Sequence, residues 1–320
     1  MKKFPLISAT ALLAVVAASA QTNPAPQQTP PTTAPPTQST TPAAPSTPTV
    51  PPNGNHRVLQ AKSQEELKAY QDASVLTDAA QEEAAANDFA AKFPGSELRA
   101  SLYVRAMNLY AQANNSEKVI TTGRQAIAAD PTNPVPLVQV ASALAESTHD
   151  TDLDREQRLA EAMKDAQAAI DNIDTGLLVP PNADPARVEA AKRSILTMAY
   201  DTMGMVNMNR NDYSAAASNL QKALDESKGN PEAVLYLRLS VAQDKLQQLP
   251  QALDSANKAV QYAQPGSAAE NLAKQQQARM QKLIGAGAPA SSAAPASATP
   301  PSPGAQTSTP PAPATPTTPH

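Results

Sequence analysis

The sequence predicts an all-α solenoid of antiparallel helix pairs, flanked by two disordered, proline-rich tails. Three observations lead to this fold class. Between about Arg57 and Leu283 the chain is rich in Ala, Leu, Gln, Glu and Lys, and its apolar residues recur at three- and four-residue spacing, as in amphipathic helices. The same region repeats a pattern of tyrosine and alanine positions. Of the 32 prolines, 11 lie between Asn23 and Asn53 and 10 follow Gly287.

The first twenty residues predict a secretory signal peptide. Lys2 and Lys3 precede an apolar run over residues 6–17, and residues 18–20 provide the small residues that signal peptidase requires before Gln21. The alternative, a membrane anchor, needs about 20 apolar residues. No later segment is apolar enough to span a bilayer. We therefore expect cleavage near residue 20, and a mature chain without a membrane span in a bacterial periplasm or outside the cell.

Residues 21–57 and 286–320 are predicted to be disordered. Stretches such as TPAAPSTPTVPP have no periodic apolar face, and their prolines lack backbone donors. These segments cannot bury enough surface to offset the loss of chain entropy. We interpret them as extended linkers, partly in polyproline II. Residues 58–285, between them, are the predicted folded domain.

Capping signals divide this domain into short helices. Ser63 with Glu66, and Ser267 with Glu270, fit the capping box, in which each side chain bonds a free backbone N–H of the first turn. Elsewhere a polar N-cap residue precedes a first-turn proline. The three such pairs are Asn133-Pro134, Asp184-Pro185 and Asn230-Pro231. Each pair predicts the start of a helix.

Three segments align with one another: residues 102–131, 199–227 and 235–263. A tyrosine occupies the same place near the start of each segment. Sixteen residues later each has a small or β-branched residue, and seven residues further on an alanine followed by an aliphatic residue. The aligned residues are Tyr103, Tyr200 and Tyr236; Val119, Ala216 and Ala252; and Ala126-Ile127, Ala223-Leu224 and Ala259-Val260.

This pattern resembles the tetratricopeptide repeat, a helix–turn–helix unit of about 34 residues. Gly204 falls on the small position eight of that family, Tyr110 on its aromatic position eleven, Tyr213 on its turn aromatic and Pro131 on its terminal proline. The resemblance implies paired helices that approach closely at the small positions. It covers most of residues 58–285 and is far more specific for fold than for function.

Weaker units extend the array in both directions. A unit that begins at Leu137 carries nine extra residues around STHDTDLDR, and about twenty more residues precede Tyr200. Upstream, ANDFAAKFPGSELR is similar to a joint common in exported bacterial envelope tetratricopeptide proteins, so we predict a degenerate first pair near residues 63–74 and 77–92. Residues 267–287 predict a capping helix that ends in glycines.

No catalytic or cofactor motif is apparent. The chain has no cysteine, and its three histidines, His56, His149 and His320, are far apart in the sequence. Neither a glycine-rich phosphate loop nor a G-x-S-x-G or H-E-x-x-H motif occurs. The net charge is -4, and the basic residues are spread among acidic ones. We therefore predict a protein that is not an enzyme, holds no cofactor and does not bind nucleic acid.

One acidic segment matches part of a calcium motif. Asp150, Asp152, Asp154 and Glu161 occupy positions 1, 3, 5 and 12 of an EF-hand loop. Arg155, however, stands where the sharp turn of that loop requires glycine. The alternative is an acidic loop whose last aspartate caps the next helix. The sequence leaves both open.

The resemblance also implies a concave groove, lined by positions 2, 5, 9 and 12 of each first helix. In this chain those positions are Ser101, Val104, Asn108 and Ala111; Met198, Asp201, Met205 and Met208; and Val234, Leu237, Val241 and Asp244. No lysine occupies a position five, which argues against the carboxylate clamp of some family members. The central methionines would suit docking of an amphipathic helix or extended peptide. Alternatively, they pack beneath Leu177, Leu178 and Val179.

We therefore predict an exported scaffold that binds a peptide or helix of an envelope protein in this groove. The alternative is a structural or surface-associated protein, whose proline-rich tails act as spacers or glycosylated stalks while the repeats merely assemble. Deletion of the tails would distinguish the two.

Overall fold

A computed structural model describes residues 59–180, 182–229 and 232–287. These residues form eleven α-helices: α1 Gln64–Ser74, α2 Ala79–Lys92, α3 Leu98–Gln112, α4 Ser116–Ala129, α5 Pro134–Ser147, α6 Arg155–Asp171, α7 Pro185–Asn209, α8 Tyr213–Glu226, α9 Ala233–Lys245, α10 Leu249–Tyr262 and α11 Ala268–Gly285. The predicted signal peptide, all of the first predicted tail and residues 288–320 of the second lie outside the described residues. None of the described helices is long and apolar enough to cross a membrane.

The helices form an all-α solenoid, which confirms the predicted fold class. Each helix packs against the next one along the chain, and α3, α5 and α7 also pack in series, as do α9 and α11. Short connections make each pair antiparallel. At Gly204 on α7, an added Cβ would lie 2.8 Å from Leu220 Cγ on α8. The small position eight therefore allows the close approach that the repeat pattern predicts.

The turn inside each pair has the same backbone conformation in three repeats. Asn114, Asn211 and Gln247 have φ angles of 54°, 61° and 60°, and each stands at position fifteen of its unit. In each turn the following residue donates its backbone N–H to the carbonyl five residues before it, as Asn115 does to Tyr110 at 3.0 Å. Such left-handed caps satisfy the last free carbonyls of a helix, so the three units share a geometry as well as a sequence pattern.

Most predicted helix starts are confirmed by side-chain caps. Ser63 and Ser267 accept from backbone N–H groups three residues later, each at 3.1 Å. Asn133 and Asp184 cap α5 and α7, and a proline follows each in the first turn. Asn230 and Pro231 lie outside the described residues. Helix α9 begins at Ala233, with Glu232 at its N-cap, two residues beyond the predicted position.

The aligned small residues lie in the hydrophobic core. Ala216 and Ala252, like Ala126, Ala223 and Ala259, are 0% exposed. The largest cluster of buried residues spans α3 to α7, and smaller clusters lie at α1–α4, α8–α9 and α10–α11. The weaker units are real helix pairs: α1 and α2 match the predicted degenerate pair, and α5 with α6 the unit that begins at Leu137.

The first predicted insertion lies between helices, and the second lies partly between helices and partly in α7. The nine residues STHDTDLDR, at 147–155, comprise the last residue of α5, the seven-residue connection 148–154 and the first residue of α6. The longer insertion forms the connection at residues 172–184 and then extends α7 to 25 residues. Helix α7 therefore begins about three turns before the regular repeat would start it.

Candidate protein-interaction cleft

A cleft of about 350 Å³ opens between α5, α7 and α9, and the end of α8 borders it. We call it the α7–α9 cleft. These three helices are the first helices of successive pairs, which is where the repeat pattern places a groove. In the described part of the chain, the backbones of α7 and α9 approach each other less closely than those of α5 and α7 or of α9 and α11. The cleft occupies that gap.

An ion pair connects the two helices across the cleft. The Nη1 group of Arg238 on α9 donates to Oδ2 of Asp201 on α7, and the two side chains are only 10% and 17% exposed. Within the described residues, Oδ1 of Asp201 and Nε of Arg238 are shielded from solvent and have no hydrogen-bond partner. Such shielded groups cost stability unless a partner satisfies them.

A second carboxylate lies close to this pair. Glu232, the N-cap residue of α9, is half-buried and lines the cleft. Burial raises the pKa of its carboxyl, and the charge of Asp201 raises it further, whereas Arg238 lowers it. The inner surface of the cleft therefore combines two carboxylates with one guanidinium.

The entrance carries charges of both signs. Arg193 on α7 and Lys228, beyond the end of α8, are exposed basic residues that border the cleft. Glu146 and Glu226 are half-buried acidic residues in the same lining. The entrance charges roughly balance, so the excess of negative charge belongs to the inner surface.

Only some of the predicted groove residues line the cleft. Met198 and Asp201 line the cleft, together with Val234. Four others, which are Asn108, Met208, Leu237 and Val241, are half-buried and lie outside it. Whether these four bind a partner stays a prediction.

Met205 and Asp244 do not contribute to an open groove. Met205 is 4% exposed, because position nine of its repeat unit faces the core shared by α3 to α7. Asp244 is 2% exposed and pairs with Arg279 of α11. The capping helix covers Asp244 because α11 packs on α9, where the next repeat would otherwise lie.

The three central methionines face different surroundings. Met198 borders the cleft, and Met208 packs against the α8–α9 cluster. Met205 shares the large core with Leu177, which is 6% exposed. For Met205 the structure thus favours the packing alternative, and Met198 is the one of these three that lines the cleft.

Sequence reasoning missed Arg193, Glu232 and Arg238. A signal for one of them was present: Asp201 at position five and Arg238 at position six of the next unit are oppositely charged neighbours on successive first helices. Arg193 was missed because it lies in the extension of α7, outside the repeat pattern. Glu232 was missed because the start of α9 was predicted two residues too early.

The four acidic residues that resemble an EF-hand do not form a calcium loop. Helix α6 begins at Arg155, so the second half of the predicted loop is helical. Glu161 accepts two hydrogen bonds from Arg124, each at 2.7 Å, and Asp152 accepts from the backbone N–H of His149 at 2.7 Å. Asp154 is the N-cap residue of α6 but makes no side-chain cap bond.

The described residues contain no group of three or more His, Asp or Glu side chains that could hold a metal ion. Of the three histidines, His149 lies in the α5–α6 connection. His56 and His320 are outside the described residues.

Comparisons with known proteins found likenesses to solved structures alone. No protein-family model matches the chain, and no curated protein matches it. Among solved structures, the assembly chaperone of RpL4, Acl4, shares 9% identity at a TM-score of 0.37, over 69% of this chain and 98% of that one. A structure of the APC/C hetero-tetramer Cut9–Hcn1 shares 12% identity at a TM-score of 0.28, over 67% of this chain and 48% of that one. Scores this low carry no argument about function.

Proposed function

We propose that this protein is a non-enzymatic interaction scaffold, exported to the bacterial envelope or beyond it, that binds a peptide segment of a partner protein in the α7–α9 cleft. The observation that carries the proposal is the cleft itself. It lies among the first helices of three successive pairs, and it includes Met198, Asp201 and Val234. These are groove positions that the repeat resemblance implies.

The size and lining of the cleft favour an extended peptide. Its volume of about 350 Å³ is at the small end of ligand pockets, so it can take one or two side chains with their backbone, but not a whole helix. Met198 and Val234 offer apolar contact, and the Asp201–Arg238 pair offers polar contact. Most of the other lining residues are polar or charged, and convergent polar groups fix the orientation of a bound chain.

In-cell photocrosslinking tests this function. We would substitute p-benzoylphenylalanine for Met198 in the full chain and compare it with the same group at Gln221, which is exposed on α8 outside the cleft. We expect one protein to be captured from Met198 and not from Gln221, in the envelope or extracellular fraction. Equal capture from both positions, or crosslinks only within the chain itself, would contradict the proposal.

Deletion of the tails separates this function from the alternative. A chain without residues 286–320, and one with residues 21–57 removed so that the leader joins the repeats, should both retain the captured partner. If capture needs the tails while the Met198 position is dispensable, the tails are the functional element, as spacers or glycosylated stalks.

A further inference from the structure

The inner surface of the α7–α9 cleft has more negative than positive charge. Asp201 and Glu232 provide two carboxylates, and Arg238 provides one guanidinium. The basic groups at the entrance, Arg193 and Lys228, are exposed, so water and salt screen them. The inner groups are shielded and are screened much less.

We propose that this cleft binds the cationic side chain of an arginine or lysine in an extended peptide segment of the partner, between the carboxylates of Asp201 and Glu232. The inference rests on the proposed function and adds the chemical class of the bound residue.

Three observations support a cation rather than an anion. The carboxylates of Asp201 and Glu232 outnumber the one guanidinium of Arg238, so the inner surface repels a further carboxylate. Oδ1 of Asp201 has no donor within the described residues, and the new cation would supply one. The raised pKa of Glu232, which burial and the nearby Asp201 cause, shows that its charge is poorly compensated. A second cation beside both carboxylates would donate a hydrogen bond to Asp201 and would compensate the charge of Glu232.

The Nε group of Arg238 favours a peptide over a free small cation. Nε is a shielded donor without an acceptor, and a peptide carbonyl is such an acceptor, whereas a polyamine has none. Met198 and Val234, beside the ion pair, can contact the aliphatic part of a long basic side chain.

Nuclear magnetic resonance on the full chain, labelled at its methionine methyl groups, tests the inference. N-acetyl-arginine N-methylamide should shift the Met198 methyl signal saturably and leave that of Met280, which is buried on α11, unchanged. The citrulline analogue has the same shape without the charge. We expect it to bind at least about tenfold more weakly, because a hydrogen bond to a charged group contributes about 1.5–3 kcal/mol. Equal binding of the two analogues, or no shift of Met198, would overturn the inference.

Two further comparisons test the position of the bound cation and the class of ligand. Glu232→Gln should weaken arginine-analogue binding about tenfold, while Asp225→Asn, at an exposed carboxylate of α8 outside the cleft, should not. An unchanged affinity in Glu232→Gln would contradict the assigned position of the cation. A capped Ala-Arg-Ala peptide should bind more tightly than spermidine. The reverse order of affinities would mean that the cleft prefers small polyamines, and would overturn the inference that its ligand is a peptide.

This test is independent of partner capture. If the arginine analogue fails to bind but Met198 still captures one partner, the inference is wrong and the scaffold function stands. If the analogue binds as expected but no partner is captured from Met198, the site chemistry stands and the proposed function fails.

Discussion

Asp165 is a buried carboxylic acid whose ionisation should destabilise the fold. It lies on α6 and is 8% exposed. Its pKa is raised from 3.8 to about 6, mainly by burial and also by the charge of Glu161, against the lowering effect of Lys164 and Arg124. Replacement by asparagine keeps the shape of the side chain and removes the charge. Asp165→Asn therefore tests whether this carboxylate is a net cost to stability.

The direction in which stability changes with pH follows from the direction of the pKa shift. Because the pKa of Asp165 is higher in the folded than in the unfolded chain, the folded chain binds the proton more tightly. Its contribution to stability is therefore greatest below about pH 4 and is lost as the pH rises to about 6. A pKa raised from 3.8 to about 6 corresponds to a penalty of about 3 kcal/mol in the free energy of unfolding at pH 8, and of about 1 kcal/mol at pH 4.5.

Urea unfolding of the full chain, followed by far-ultraviolet circular dichroism, measures this penalty. We expect Asp165→Asn to be more stable than the natural chain by up to about 3 kcal/mol at pH 8, and by about 1 kcal/mol at pH 4.5. Asp171→Asn is the control, since Asp171 is exposed on the same helix. A gain that is equal at both pH values, or a loss of stability at pH 8, would refute the reasoning.

Two further changes test packing and hydrogen bonding. Gly176→Ala places a Cβ 1.8 Å from the backbone oxygen of Thr132, so we expect a lower melting temperature and a cost of at least about 2 kcal/mol; Gly285→Ala, where a Cβ meets no atom within 4 Å, should not lower it. Tyr110→Phe removes the hydroxyl that donates to Glu83 at 2.6 Å, and urea unfolding should show a loss of about 1 kcal/mol. An unchanged stability would mean that this bond adds nothing to the fold.

Local signals in the sequence were enough to predict the helices. A pair of helices was predicted near residues 63–74 and 77–92, and the structure has α1 and α2 at Gln64–Ser74 and Ala79–Lys92. Caps and first-turn prolines act within four residues of a helix start, so they can be recognised without knowledge of the tertiary fold. The exception, at α9, has no side-chain cap bond at all.

The surface of each first helix was harder to predict, because it depends on which neighbour covers it. Position twelve is buried at Asp244, where α11 adds an ion pair from Arg279, but half-buried at Met208. Position nine is buried at Met205 and half-buried at Val241. One family-wide set of groove positions therefore cannot describe a solenoid whose neighbouring pairs differ in length and spacing.

The candidate site combines positions of the repeat with residues of the insertion that precedes it. A regular unit would start its first helix near Thr197, but α7 begins at Pro185. The added turns contribute Arg193 to the cleft, along with Ala190. Because the insertion both lengthens α7 and changes how it meets its neighbours, it supplies cleft residues that a uniform array would lack. Ala190, Arg193 and Ser194 of the cleft thus come from the segment that fits the repeat pattern least well, whereas the ion pair of Asp201 and Arg238 comes from repeat positions five and six.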